Sequence, residues 1–162
     1  MVTMLNSYLL PEDIVTKMKE RIEETKKARV ELGFGLCRLK SNIVRSGEEC
    51  TGEKCMILVR EICPQAGLYV GGFHTHPTAS AKPSIADLLH AYRNDVECIG
   101  SVKEDKIQCY IRVEPKNPQT EEKFREAKII EDREKTSRED YQEYIRIRDE
   151  LLGKHFKEIE IR

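Results

Sequence analysis

The sequence predicts an α/β protein, of the α+β type, in which a mixed β-sheet is flanked by helices. An amphipathic helix near the start, short apolar runs bounded by turn residues, and a charged C-terminal segment with helical spacing support this prediction. A chain of 162 residues is long enough for one domain with a real hydrophobic core and an appendage.

The first helix follows Pro11, a residue that favours the first helical position. Ile14, Met18, Ile22 and Thr25 then recur at helical spacing, with Lys, Arg and Glu between them. This pattern predicts a helix with one apolar face, and we expect that face to pack on the sheet.

Apolar runs at about 30–39, 55–62 and 68–75 predict the next strands. A second helix is expected to start after Ser84 and to end near Arg93, with its leucines turned inward.

The stretches 96–102 and 107–113 predict a β-hairpin that turns near residue 104. Two prolines and an asparagine then interrupt the pattern. We therefore predict a domain over residues 1–118 and a charged helical C-terminal extension over residues 119–162.

The extension is dense in Glu, Lys and Arg and carries sparse apolar positions at helical spacing. These positions are Tyr141, Tyr144, Ile145, Leu151, Leu152, Phe156 and Ile159. The favoured interpretation is a terminal helix that folds back on the domain. An exposed surface for a homodimer partner or a substrate is the alternative.

The composition excludes some classes of function. A net charge of −1 without a basic run argues against nucleic acid as the main partner. No apolar run has the length needed to span a bilayer, and the first ten residues do not resemble a signal peptide. We expect a soluble, cytoplasmic protein without a membrane partner.

The chain contains six cysteines. Buried free thiols are the favoured interpretation, and disulfides between Cys50 and Cys55 and between Cys98 and Cys109 are the alternative. No Cys-x-x-Cys pair is present, so a second, structural zinc site is not expected. The same absence argues against a zinc nucleobase deaminase.

The strongest chemical signal is the pair His74 and His76, which one residue separates on a predicted strand. Side chains two apart on a strand point the same way. The following proline ends the strand, and Asp87 lies a short distance onward. Two histidines and an aspartate are the ligands of an open zinc site. The other two histidines, His90 and His155, are interpreted as ordinary surface residues.

Two further features support this site. The tetrapeptide from Ser84 to Asp87 is close to a capping box, which would fix Asp87 while its carboxylate faces the metal. Gly71 and Gly72 precede the histidines and indicate a close approach of backbones beside the site.

The spacing His74-x-His76, then Ser84-x-x-Asp87, resembles the JAMM motif of the MPN+ zinc metallopeptidases (JAB domains). That family also has an upstream glutamate in a context such as Glu-x-Gly-Gly-x-Leu. The stretch 31–36, which begins with Glu31, fits this context with a phenylalanine in place of the second glycine.

The resemblance covers about residues 1–115 and implies an MPN/JAB fold, similar to the cytidine-deaminase-like architecture. It implies that His74, His76 and Asp87 hold Zn²⁺. It also implies that Glu31 acts as general base and acid, and that Ser84 donates a hydrogen bond to the developing oxyanion.

The implied activity is a zinc-dependent isopeptidase that removes ubiquitin or ubiquitin-like, sulfur-carrier-type proteins from lysine. The alternative within the same chemistry is trimming of the C-terminus of a ubiquitin-like precursor. A non-catalytic MPN scaffold is a different class, and the complete set of ligand residues disfavours it.

Overall fold

The fold is given by a computed structural model, which describes residues 3–52, 55 and 61–162. Within these residues the strands are β1 (Thr3–Leu5), β2 (Tyr8–Leu10), β3 (Leu32–Arg38), β4 (Val44–Thr51), β5 (Leu68–His76), β6 (Val96–Ser101), β7 (Lys106–Arg112) and β8 (Phe156–Ile161). The α-helices are α1 (Glu12–Ala28), α2 (Ile85–Arg93), α3 (Pro118–Asp132) and α4 (Arg138–His155).

A six-stranded mixed sheet in the order β4-β3-β5-β6-β7-β8 forms the centre of the molecule. The pair β5–β6 is parallel, with α2 as the crossover between its strands, and the other pairs are antiparallel. The α/β class with a mixed sheet flanked by helices is therefore confirmed. Strands β1 and β2 form a separate small hairpin.

Apolar residues are buried on both faces of the sheet. Neighbouring residues of a strand point to opposite faces, and Cys98 belongs to a cluster packed with α1 whereas Ile99 belongs to a cluster packed with α2 and α3. The first cluster contains Met18 and Phe73, both fully buried. The sheet is thus covered by helices on each side, as an α/β architecture requires.

The predicted close approach of backbones is confirmed at Gly71. This residue pairs with Val96 of the neighbouring strand and has a φ of 147°. A Cβ atom here would lie 1.7 Å from the Val96 carbonyl oxygen. Only glycine allows β5 and β6 to meet at this point.

The predicted first and second helices match α1 and α2 closely, and the strands at 30–39, 68–75, 96–102 and 107–113 match β3, β5, β6 and β7. Leu88 and Leu89 are buried, as predicted. The sequence did not indicate β1, β2 or β4. The strand predicted at 55–62 falls mostly outside the described residues.

The interpretation of the cysteines as free thiols is wrong. All six are paired, as Cys37–Cys63, Cys50–Cys55 and Cys98–Cys109. The last two pairs are the alternative that the sequence left open. Cys37–Cys63 was not considered, because its partners are 26 residues apart and no local pattern connects them.

The segment after residue 118 is helical over α3 and α4 and ends in β8, a strand that the sequence did not indicate. β8 pairs with β7 and so completes the sheet. Phe124 of α3 is fully buried, with its ring 5.0 Å from that of Tyr92. Residues 119–162 are therefore packed on the sheet and on α2, while the predicted boundary at residue 118 stays a prediction.

The interpretation of His155 as a surface residue is wrong. It is 5% exposed, packs between Tyr92 and Phe124, and its Nδ1 lies 2.6 Å from a carboxylate oxygen of Glu114. The residue lies at the end of α4, where the chain turns into the sheet.

None of the helices in the described part of the chain is both long and apolar enough to cross a membrane.

The packing of the C-terminal segment predicts the effect of Phe124→Ala. Removing a fully buried aromatic ring leaves a cavity, so the free energy of unfolding should fall by about 3–5 kcal/mol. The control Tyr141→Ala removes a side chain that is 55% exposed, and its effect should stay within about 0.5 kcal/mol. Urea unfolding followed by circular dichroism measures both. Equal stabilities of the two variants would contradict this packing.

Candidate metal centre

The two histidines of the motif lie at the carboxyl end of β5, an interior strand of the sheet. His74 pairs with Gly33 of β3 on one side and with Ile99 of β6 on the other. Backbone pairing on both sides fixes the direction of the His74 side chain, and His76 follows on the same face. Local sequence and sheet position together place both imidazoles at one edge of the sheet.

The residue between them connects the strand to the start of β3. The hydroxyl oxygen of Thr75 accepts from the Leu32 amide at 2.9 Å and lies 2.6 Å from the Thr25 hydroxyl of α1. Thr75 is fully buried on the face opposite to the histidines. The hydrogen bond from Thr75 holds Leu32, the residue that follows Glu31. The strand that carries the histidines therefore also positions the backbone at Glu31.

The nitrogen and oxygen atoms of the predicted ligands converge. The Nε2 atoms of His74 and His76 are 3.2 Å apart, and Nε2 of His74 is 3.6 Å from Oδ1 of Asp87. A carboxylate oxygen of Glu31 lies within 4.8 Å of both histidines' ligand atoms. Ligand atoms about 2.0–2.1 Å from a tetrahedral zinc ion are separated by about 3.3 Å. The distances from Nε2 of His74 to His76 and to Asp87 are close to that separation.

Hydrogen bonds at the opposite ring nitrogens assign the protons of both imidazoles. Nδ1 of His76 donates to the Ser80 carbonyl oxygen at 2.7 Å, and Nδ1 of His74 donates to the Glu97 carboxylate at 3.0 Å. In each neutral ring Nε2 is then a lone pair. When both rings are neutral, these two nitrogens can act as metal ligands beside the Asp87 carboxylate. The donor set fits zinc.

The carboxylate of Asp87 has a separate contact for each oxygen. Oδ2 accepts from the Ser84 amide at 2.9 Å, while the Ser84 hydroxyl oxygen accepts from the Asp87 amide at 3.0 Å. This reciprocal pair is a complete capping box at the start of α2. Oδ1 remains directed at His74. The predicted capping box is confirmed, and the role of Asp87 as a metal ligand stays a prediction.

A glutamate from the C-terminal segment completes the cap. The carboxylate of Glu131 accepts from the amides of Ile85 at 2.6 Å and Ala86 at 3.1 Å, and from the Tyr144 hydroxyl at 2.6 Å. These amides are donors that a helix leaves unsatisfied at its amino end. α3 and α4 therefore help to position the turn that carries Ser84 and Asp87.

The interpretation of His90 as a surface residue is wrong, because it belongs to a network behind His74. The carboxylate of Glu97, 1% exposed, lies between Nδ1 of His74 and Nδ1 of His90 at 3.0 and 3.1 Å. Nε2 of His90 lies 3.0 Å from the Tyr69 hydroxyl. Sequence reasoning missed Glu97, although a charged residue inside an apolar strand is itself a signal of a paired group.

Charge at the site follows from this network. Burial lowers the pKa of His74, but the carboxylates of Asp87, Glu97 and Glu31 outweigh it and raise the pKa to about 9. Burial and the charge of His74 lower the pKa of His76. Burial raises the pKa of Glu97, yet the two histidines beside it hold that pKa below its usual range. The metal-free site thus attracts positive charge, which is also what a metal site does.

The candidate ligands lie in a cleft of about 590 Å³. α2 contributes one side of the cleft, and the C-terminal helices contribute Lys128, Tyr144 and Arg148. Glu31, Ser84 and the three candidate ligands all line the same cleft, so the structure brings every predicted site residue together. A substrate could reach the metal position from solvent, which a purely structural zinc site would not need.

No family model and no curated protein matches the chain. Among solved structures, the chain is similar to a JAB1/MPN domain protein from Archaeoglobus fulgidus, with 22% sequence identity and a TM-score of 0.39. The similarity covers 58% of this chain and 82% of that protein.

The converging ligands predict that the purified protein binds about one zinc ion per chain. His76→Ala should lose most of this zinc, because the two remaining ligands rarely retain the ion. Metal analysis after dialysis against a weak chelator measures the content. Full zinc in the double variant His74→Ala, His76→Ala would contradict the assignment.

The network behind His74 predicts that Glu97 positions this ligand. Glu97→Gln keeps the size of the side chain but weakens the acceptor for Nδ1, so zinc affinity should fall about 10- to 100-fold. Competition with a chromophoric chelator measures the affinity. Glu126→Gln, an exposed substitution on α3, is the control. An unchanged zinc affinity in the Glu97 variant would refute a positioning role.

Proposed function

We propose that the protein is a zinc-dependent isopeptidase that releases ubiquitin-like, sulfur-carrier-type proteins from lysine side chains. The observation that carries the proposal is that Nε2 of His74 lies 3.2 Å from Nε2 of His76 and 3.6 Å from Oδ1 of Asp87 in an open cleft, with Glu31 close to both histidines. The resemblance of the same residues to the JAMM motif supports the reaction type.

The proposed mechanism assigns proton transfer to Glu31. Zinc bound at the three ligands would supply Lewis acidity, which lowers the pKa of water and polarises a carbonyl group. The Glu31 carboxylate would accept a proton from the attacking water and later deliver it to the leaving amine nitrogen. Glu31 immediately precedes β3, and its backbone carbonyl oxygen accepts a hydrogen bond from the Gly52 amide at 2.8 Å. The backbone that carries the carboxylate is therefore held in place.

Ser84 is proposed to stabilise the negative charge that develops on the scissile carbonyl oxygen. Its hydroxyl oxygen accepts from the Asp87 amide, so its proton remains available as a donor. The capping box and the Glu131 contacts hold the turn in place before the substrate arrives. A donor that needs no reorganisation contributes most to catalysis.

The alternatives to an isopeptidase are a peptidase that trims a precursor and a non-catalytic MPN scaffold. Trimming of a ubiquitin-like or sulfur-carrier precursor uses the same chemistry on a peptide bond at the C-terminus. A non-catalytic MPN scaffold would have no use for the converging ligand atoms or for a glutamate beside them. The geometry therefore favours an enzyme, and the choice between conjugate and precursor depends on the substrate test.

Two further proposals concern the location and the oligomeric state of the protein. A cytoplasmic location is proposed together with three disulfides, a combination known mainly among intracellular proteins of hyperthermophiles. A homodimer through the C-terminal helices is also proposed, because Ile129, Tyr141 and Ile145 expose apolar surface there.

The proposed mechanism predicts the effect of Glu31→Gln. The amide keeps the shape but cannot accept the proton, so turnover should fall by at least about a hundredfold while zinc stays bound. Glu49→Gln is the control, because the Glu49 carboxylate pairs with Arg21 at 2.6 Å. Cleavage of a fluorogenic Gly-Gly-lysine isopeptide measures the rate. Wild-type activity in the Glu31 variant combined with an inactive Glu49 variant would mean that the wrong glutamate was chosen.

The proposed substrate predicts a strict requirement for glycine. An extended tail that ends in Gly-Gly has no side chain to clash with the cleft walls above the metal position. Replacing the last glycine of the tail by leucine should therefore abolish cleavage of the isopeptide. Gel analysis of the two conjugates over time measures the outcome. Equal rates on both tails would indicate a general peptidase.

A further inference from the structure

The rim of the cleft is positively charged. Among the described residues that line it, the cations are Lys82, Arg93, Lys128 and Arg148, whereas the carboxylates are only Glu31 and Asp87. Both carboxylates lie beside the candidate metal position. With zinc in place the two positive charges of the ion would offset them, which leaves the four cations as the charged side chains that line the cleft.

The four cations come from different elements that line the cleft. Lys82 lies in the loop after the histidines, Arg93 at the end of α2, Lys128 on α3 and Arg148 on α4. Two of the four thus belong to the C-terminal segment.

Arg148 is the least exposed of these side chains. Its side chain is 12% exposed, and the guanidinium lies 5.9 Å from the centre of the Tyr144 ring. Tyr144 is itself fixed by its hydrogen bond to Glu131. An arginine held on an aromatic ring loses little freedom when it binds a carboxylate. The network that caps α2 therefore also presents a cation to the cleft.

Three of these cations already form ion pairs with carboxylates of the protein, and these carboxylates compete only weakly with a substrate carboxylate. Lys128 pairs with Asp132 at 2.8 Å, Arg93 with Glu121 at 3.3 Å, and Arg148 with Asp149 at 3.1 Å. All three carboxylate partners are at least partly exposed, and exposed pairs contribute little. A substrate carboxylate brought close by binding in the cleft can share or replace them.

We propose that the cleft selects substrates with aspartate and glutamate residues next to the scissile bond. Acidic side chains would bind Lys128 and Arg148 while the scissile bond lies over the metal position. The identity of the occupant as a peptide rests on the proposed peptidase function. The charge preference itself rests only on the residues that line the cleft.

The test separates binding from cleavage. Glu31→Gln protein loaded with zinc is titrated with two fluorescent peptides that contain Gly-Gly followed by either Glu-Asp-Glu or the neutral Gln-Asn-Gln. Fluorescence anisotropy measures both dissociation constants. The acidic peptide should bind about fivefold more tightly at low salt, as expected for two or three partly screened ion pairs. High salt should remove the difference.

Two sets of substitutions locate the preference. In the Lys128→Gln, Arg148→Gln background the two peptides should bind with nearly equal affinity. The control background is Lys123→Gln, Arg146→Gln, which removes two exposed cations of the same helices that do not line the cleft. It should retain the preference. Melting curves verify that each variant is folded.

Equal affinities of the two peptides for the Glu31→Gln protein that retains all four cations would overturn the proposal. A preference that survives in the Lys128, Arg148 background would overturn it as well. Displacement of the acidic peptide by a single-stranded oligonucleotide at lower concentration would replace the proposed occupant with a nucleic acid. Failure of the wild-type enzyme to cleave any Gly-Gly substrate, despite a clear acidic preference, would refute the proposed function but not the charge preference.

Discussion

The approach of His76 and Asp87 to the buried imidazole of His74 is the constraint on which the other features of this molecule depend. When both imidazoles are neutral, Nε2 of His74, Nε2 of His76 and Oδ1 of Asp87 carry electron pairs that repel one another unless a cation lies between them. Hydrogen bonds on the opposite sides of these groups hold Nε2 of His74 3.2 Å from Nε2 of His76 and 3.6 Å from Oδ1 of Asp87. Glu97 and Ser80 hold the rings, and the capping box holds the carboxylate.

These supports come from distant parts of the chain. Glu97 belongs to β6, which meets β5 closely because Gly71 has no side chain. Glu131 belongs to α3, and its carboxylate binds the amino end of α2. A site held by several elements can be both open to solvent and rigid, and a catalytic metal site needs both properties.

The sequence indicates the candidate site residues because their signal is local. Two histidines on one strand face and a capping box that contains an aspartate are patterns of a few residues, and their chemistry restricts the ligand. The supports could not be predicted in this way. Glu131 lies 46 residues from the Ile85 amide that it binds, and one sequence does not reveal which of many glutamates makes that contact.

The fold shows the same division. α1 and α2 have strong helical periodicity and were predicted closely, whereas β8 has a short pattern that continues the spacing of α4. The strand conformation of β8 is determined by its pairing with β7, a tertiary effect that outweighs local propensity. The Cys37–Cys63 disulfide was missed for the same reason, since only the folded chain brings its partners together.

We propose that these three side chains form a zinc site. Diffraction from a crystal of the zinc-loaded protein, measured above and below the zinc absorption edge, locates the ion. One strong anomalous peak is expected about 2.0–2.2 Å from Nε2 of His74, Nε2 of His76 and a carboxylate oxygen of Asp87. A zinc peak elsewhere on the chain, with the two Nε2 atoms still in contact and no ion between them, would contradict it.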